Sequence, residues 1–211
     1  MANIKIASLT VGELAVNCWL LGNEDTKEAL VIDPGDEAGR IQDFAERSGW
    51  VIRHILLTHG HSDHMGGVEA LREATKAPVY ALQEEEVMLL DAKTNLSVFI
   101  NHRPITVRAD EFLKDGQKLT LCGILLEVFH TPGHTPGGCC FYCEEAKSVF
   151  SGDTLFHGSV GRSDFPGGSM SKLVCSVREK LLVLPEETAV YPGHGEMTTI
   201  GYEKKYNPFL G

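Results

Sequence analysis

The chain has no long hydrophobic run. Its apolar stretches all fall short of the roughly 20 residues that a helix needs to cross a bilayer, so no membrane-spanning helix is expected. It also lacks a surplus of positive charge: 19 Lys and Arg stand against 29 Asp and Glu, a formal net charge of −10. A protein that grips phosphate backbones ordinarily shows a basic face, so no nucleic-acid partner is expected, and the acidity reads as solubility. The opening MANIKIASLTVGELAVNCWLLG holds one lysine and no apolar core ahead of a small-residue cleavage site. No signal peptide is expected there, and the expected location is the cytoplasm with no membrane partner. Repeats, low-complexity tracts and linkers are missing too, and 211 residues suit a single domain, 1–211, with a full core. The six cysteines have no oxidising compartment to pair in, so they read as free thiols without a metal, those of the CCFYC stretch as buried.

What the chain does have is an alternation of strands and helices. Strand-like runs are NIKIASLTV, NCWLLG, EALVID, HILLTH, APVYAL, KLTL, ILLEVFH, GCCFYC, KSVFSGD and AVYPGH. Helical periodicity marks AGRIQDFAERSG, GGVEALREATK, LQEEEVMLLDA and SMSKLVCSVREKLLVL. Five of the strands end in a short turn that carries a polar residue: Asp33, His59 with His61, His134, Asp153 and His194. Ligand sites in open α/β sheets collect beyond strand ends, which makes this a candidate site.

The densest of these ends is THGHSDHMGG, with three histidines and an aspartate at positions 59 to 64. At the chain's histidine frequency, chance gives such a cluster roughly two per cent of the time. If the segment leaves its strand extended, side-chain alternation points His59 and His61 the same way. Asp63 and His64 fall where the chain turns into the next helix and face elsewhere. Four ligands from six consecutive residues crowd one tetrahedral ion, whereas two ions taking two ligands each are easily served. Asp153 is the candidate to bridge them, because a carboxylate has two oxygens. His134 and His194 are candidates to complete one site each, although either alone reads more simply as a hydrogen-bonded structural histidine. Asp33, in Asp-Pro-Gly, is explained by a turn and reads as structural or as a support behind the ligands. His130 reads at most as such a support, and His54, His102 and His157 as ordinary.

The motifs HGHSDH, TPGHTPG, SGDTLF and YPGHG, in that order, resemble the metallo-β-lactamase superfamily. GDTLFHGSVGRSDFPGG and the tail KKYNPFL are similar to its short bacterial glyoxalase II-like, hydroxyacylglutathione hydrolase-like members. The resemblance implies an α+β fold, an αβ/βα four-layer sandwich with the metal site at one edge of the sheets. It assigns His59, His61 and His134 to one metal, Asp63, His64 and His194 to a second, and Asp153 to the bridge. Two divalent ions are implied, zinc first, with iron or manganese meeting the same donors. The implied reaction is hydrolysis of a small-molecule thioester of the S-lactoylglutathione type by a hydroxide shared between the metals, with Asp63 as the catalytic residue that orients it.

Two features depart from the full-length glyoxalase II enzymes. Only 17 residues follow His194, so their helical C-terminal domain, which helps hold glutathione, is not expected. Where those enzymes carry a Lys and a Tyr, this chain has GRSDF, with Arg162 keeping a positive charge and Asp164 in place of the tyrosine. Arg162 is the candidate to bind a substrate carboxylate, and a surface ion pair with Asp164 is its plainer reading. Two other functions remain: a mononuclear iron persulfide dioxygenase, which shares a GR-(Ser/Thr)-D-F-like segment and would use His59, His134 and Asp153, and a non-catalytic metal-binding module.

Overall fold

The computed structural model describes residues 2–211. The first half of the chain builds one sheet from β1 (Ile4–Val11), β2 (Val16–Asn23), β3 (Glu28–Ile32), β4 (Val51–Leu56), β5 (Val79–Leu82) and β6 (Glu111–Leu113), in that spatial order. The β1–β2–β3 meander is antiparallel, and β3 to β6 run parallel. Parallel neighbours need crossovers, which are supplied by α1 (Ala38–Arg47), by α2 (Ser62–Met65) with α3 (Val68–Thr75), and by α4 (Glu86–Leu90) with α5 (Ser97–Ile100).

The second half builds the facing sheet. Here β7 (Lys118–Leu121), β8 (Ile124–His130), β9 (Cys139–Cys143) and β10 (Ser148–Gly152) form an antiparallel run. A small ribbon follows, β11 (Leu155–Phe156) with β12 (Ser159–Val160), and then α6 (Met170–Ser176). Next, β13 (Ala189–Pro192) adds parallel to β10, with β14 (Thr198–Thr199) outside it, and the chain closes with α7 (Ile200–Tyr206).

Side-chain alternation explains why these sheets stack. In β2, Trp19 and Leu21 point inward with Leu30 and Ile32 of β3, and they meet Leu126 and Val128 of β8, Phe141 of β9 and Phe150 of β10. The opposite faces are covered by helices. Cys18 and Leu20 lie under Ile41 and Ala45 of α1 and Leu71 of α3, while Val149 and Val190 lie under Leu173 of α6 and Ile200 of α7. A strand buried on both faces reads as a continuous apolar run, as β2 does. Each such Leu or Phe taken from water contributes about 1.5–3 kcal/mol. The result is the four-layer αβ/βα sandwich.

Cys140-Phe-Tyr-Cys143 is a C-x-x-C segment, but strand parity sends Cys143 into the core between the sheets and Cys140 under α6. All six cysteines are free thiols, five of them buried, as expected for those of the CCFYC stretch, and Cys175 exposed. No helix among the described residues is long and apolar enough to cross a membrane.

Candidate metal centre

The carboxyl ends of β3, β4, β8, β10 and β13 meet at one edge of the sandwich, and each delivers a polar side chain there. Past β4 the chain bends at Thr58 and reaches His61 in an extended conformation, with φ of −67° and ψ of 144°, just ahead of α2. Asp63 and His64 therefore sit on a helical turn and approach from a different direction. His134 comes from the loop after β8, Asp153 follows β10 directly and His194 follows β13. The last two turns are tied together, since Gly193 N–H donates to the Gly152 carbonyl at 2.9 Å. A Cβ on Gly193 would lie 2.4 Å from Asp153 Oδ1 and 2.5 Å from His64 Cε1, so only glycine lets the turn come this close.

Two trios form. The ligand-type atoms of His59, His61 and His134 lie within 4.8 Å of one another, as do those of Asp63, His64 and His194. His61 Nδ1 is 2.9 Å from His134 Nε2, and His64 Nε2 is 3.2 Å from His194 Nε2. Asp63 Oδ2 is 3.2 Å from His194 Nε2. Asp153 stands between the trios, with Oδ1 3.3 Å from His64 Nε2 and Oδ2 3.5 Å from His134 Nε2 and 3.8 Å from His194 Nε2.

The outer nitrogens of four histidines fix their tautomers. His134 Nδ1–H donates to the Arg162 carbonyl at 2.7 Å, and His194 Nδ1–H donates to the Leu14 carbonyl at 3.1 Å. His64 Nδ1–H donates to Asp33 Oδ2 at 2.9 Å. The Thr58 hydroxyl gives its proton to Asp33 Oδ2 at 2.6 Å, so its oxygen is left to accept from His59 Nδ1–H at 3.1 Å. All four Nε2 atoms consequently turn lone pairs inward. With both rings neutral, a close pair such as His64 Nε2 and His194 Nε2 opposes lone pair to lone pair. His59 Nε2, His61 Nε2 and Asp153 Oδ1 are buried without a hydrogen-bond partner. Buried acceptors of this kind are costly unless a cation joins them. Imidazole nitrogen with carboxylate oxygen is a donor set for divalent metals.

The electrostatics set the two trios apart. Burial, then the neighbouring His64 and His134, hold His59 well below the usual imidazole range, and burial and His134 push His61 down to about 3. Burial also lowers His134. His64 is buried too, but Asp153, Asp63 and Asp33 outweigh that and raise it. Asp153 and Asp63 stay below the ordinary carboxylate range despite burial, because His64 faces both. The first trio is thus neutral, whereas in the second the carboxylates of Asp63 and Asp153 face two imidazoles, His64 and His194, that they raise, so a metal binding there takes the place of protons.

Every residue expected in the centre is brought to it except the side chain of Arg162. Its guanidinium makes two 2.8 Å hydrogen bonds to Asp164 and stacks 3.9 Å from the Phe165 ring centre, whose edge meets His61. The surface ion pair has formed, and the contribution of Arg162 to the centre is its carbonyl behind His134. Asp33 proves to be a support, holding Thr58 and His64 together. His130 bonds the Pro136 carbonyl at 2.9 Å and takes no part. Sequence reasoning missed Thr58, the Leu14 carbonyl and Glu85. Thr58 had a signal in its place between an apolar strand and a ligand; the other two had none.

A layered sandwich with paired His and Asp trios at the strand ends defines a metal-dependent hydrolase type. The sequence model of the metallo-beta-lactamase superfamily matches residues 11–194, and the chain belongs to that superfamily. It is 37% identical over 217 residues to the hydroxyacylglutathione hydrolase GloC of Haemophilus influenzae, covering 99% of this chain and 98% of that one. The solved structure of the BLEG-1 B3 metallo-beta-lactamase is 41% identical, with a TM-score of 0.93 over 98% of this chain and 99% of that one. TTHA1623 in a di-iron-bound form is 39% identical, with a TM-score of 0.85 over 97% of this chain and 100% of that one.

Proposed function

We propose that this protein hydrolyses thioesters of the S-lactoylglutathione type with two divalent metals, zinc in the first instance. The observation that carries the reading is the shared Asp153, which gives one oxygen to His134 of the first trio and the other to His64 of the second. His59, His61 and His134 are the ligands of one ion, and Asp63, His64 and His194 those of the other. When bound, such ions acidify a water toward neutral pH and polarise a carbonyl oxygen.

The remaining work belongs to the side chains. Burial of His59, His61 and His64 keeps bulk water off one wall of the centre. The Asp63 carboxylate, 14% exposed, is an acceptor on the open side and orients the attacking water by taking its hydrogen bond. Phe165, against His61, supplies an apolar wall. A thiolate leaving group, with a conjugate-acid pKa of about 8.5, needs no proton from the protein.

A cavity of about 240 Å³ opens beside Asp63, between the β1–β2 turn at Leu14 and the loop holding Asn101, His102 and Arg103. Among the described residues Arg103 has no ion-pair partner, whereas Arg162 is held by Asp164. Arg103 is therefore the better cation for a substrate carboxylate. The test compares kcat/KM for S-lactoylglutathione, a truncated thiol ester and a β-lactam, in wild type, Arg103→Ala and Arg162→Ala. Thioester turnover that drops in Arg103→Ala is the expected result. Turnover of the β-lactam alone would refute the thioester reading.

A further inference from the structure

Glu85 belongs to neither trio, yet it is 1% exposed. It closes the single 3-10 turn Gln83–Glu85 ahead of α4. Its Oε1 accepts the N–H of Gly60 at 2.8 Å, and its Oε2 accepts the N–H of Gly137 at 2.7 Å. Gly60 stands between His59 and His61, and Gly137 lies three residues past His134. One carboxylate therefore grips both loops that carry the His59/His61/His134 trio. A single backbone bond, Cys139 N–H to the Thr58 carbonyl at 2.8 Å, ties the same regions at their base. The fit is close: a Cβ on Gly137 would lie 2.6 Å from Glu85 Oε2.

A buried carboxylate is a costly way to join two loops, and burial pushes this one above the usual range. Its chemistry suits the task because it offers an acceptor to each of two N–H groups. A glutamine of the same shape has one acceptor and one donor, and its NH₂ would oppose a backbone N–H.

We infer that Glu85 is a positioning residue for one metal: it fixes the separation of His59 and His61 from His134, and so sets that trio's affinity without touching metal or substrate. This rests on the ligand assignment above. The second trio has its own support in Asp33 and the Leu14 carbonyl, so it does not depend on Glu85.

The experiment is zinc titration against a competing chelator, with Glu85→Gln introduced into two single-site backgrounds. His64→Ala leaves the His59/His61/His134 site, and His134→Ala leaves the other. Glu85→Gln is expected to weaken zinc about 10- to 100-fold in the first background, a normal cost for losing a group behind the ligands, and to leave the second background unchanged. Glu85→Asp, which keeps the charge but falls one methylene short, should weaken the same site in the same direction if the glutamine variant does not fold. Unchanged affinity in the His64→Ala background would overturn the inference. Equal loss in both backgrounds would also overturn it, by making Glu85 a residue of the fold at large. Absence of zinc binding in wild type would remove the centre itself, and the inference with it.

Discussion

Replacing Asp33 by Asn tests the tautomer argument at one atom. Asp33 has a φ of 53°, a left-handed conformation that Asn tolerates, so the backbone should keep its path. Its Oδ1 accepts Thr58 N–H at 2.8 Å, and a backbone N–H cannot turn round, so the amide oxygen of Asn must stay there. The NH₂ then replaces Oδ2, which accepts from the Thr58 hydroxyl at 2.6 Å and from His64 Nδ1–H at 2.9 Å. The hydroxyl can rotate and accept instead, and it still accepts from His59. His64 has no such freedom. To avoid opposing N–H groups it must move its proton to Nε2, the atom 3.3 Å from Asp153 Oδ1 and 3.2 Å from His194 Nε2. A proton then stands where a lone pair is needed. Losing a hydrogen bond to a charged group costs about 1.5–3 kcal/mol, which corresponds to roughly 10- to 150-fold in zinc affinity at the Asp63/His64/His194 site. Chelator-competition titration reads the two sites, and thermal unfolding of the metal-free protein checks the fold. Wild-type affinity at that site, or equal weakening of both sites, would refute the reasoning.

The ligand assignment predicts that His134→Ala empties mainly one site and His64→Ala mainly the other. Elemental analysis finding full metal content in both variants would undo it. Asp63→Asn should lower kcat more than it changes KM, because the amide keeps the shape but loses the charge that orients water. Steady-state kinetics at full metal occupancy decide this, and unchanged turnover would remove Asp63 from the reaction.

The sequence disclosed the long elements and the centre for a common reason: both leave a regular trace. A continuous apolar run marks β2, the i, i+4, i+8 spacing of Leu173, Val177 and Leu181 marks the helix after Gly168, and imidazoles at fixed spacing mark His59 to His64. Elements of two to four residues, such as β6, β11, β12, β14, α2 and α5, complete no period, and tertiary contacts hold them. The charged tail GYEKKYNPFL forms most of α7. Lys204 and Lys205 are exposed, but Ile200 is buried and the Glu203 carboxylate accepts from the Thr198 hydroxyl and from Gly158 N–H. Buried acids hidden in charged runs, Glu203 and Glu85 alike, look like solvent-facing residues until a partner distant in sequence arrives. Arg162 shows the converse, since spacing alone could bring it near Asp153 but not free it from Asp164.

Each trio draws on both halves of the chain. His59 and His61 leave the first sheet and His134 the second; Asp63 and His64 belong to the first and His194 to the second. Any ion bound here is therefore a cross-link between sheets as well as a reagent. Bonds within the protein join the sheets at the same place. Asn17 N–H donates to the Gly193 carbonyl at 2.7 Å, and the Asn17 amide and the Trp19 indole both donate to the Pro192 carbonyl, at 3.1 and 3.0 Å. These contacts clasp β2 to the end of β13 next to His194. The loop positions and the outward hydrogen bonds of four imidazoles are held by contacts within the protein itself. Under the ligand assignment proposed above, metal affinity should therefore respond to the groups behind the ligands, namely Asp33, Thr58, the Leu14 and Arg162 carbonyls and Glu85, and the variants described above read that response.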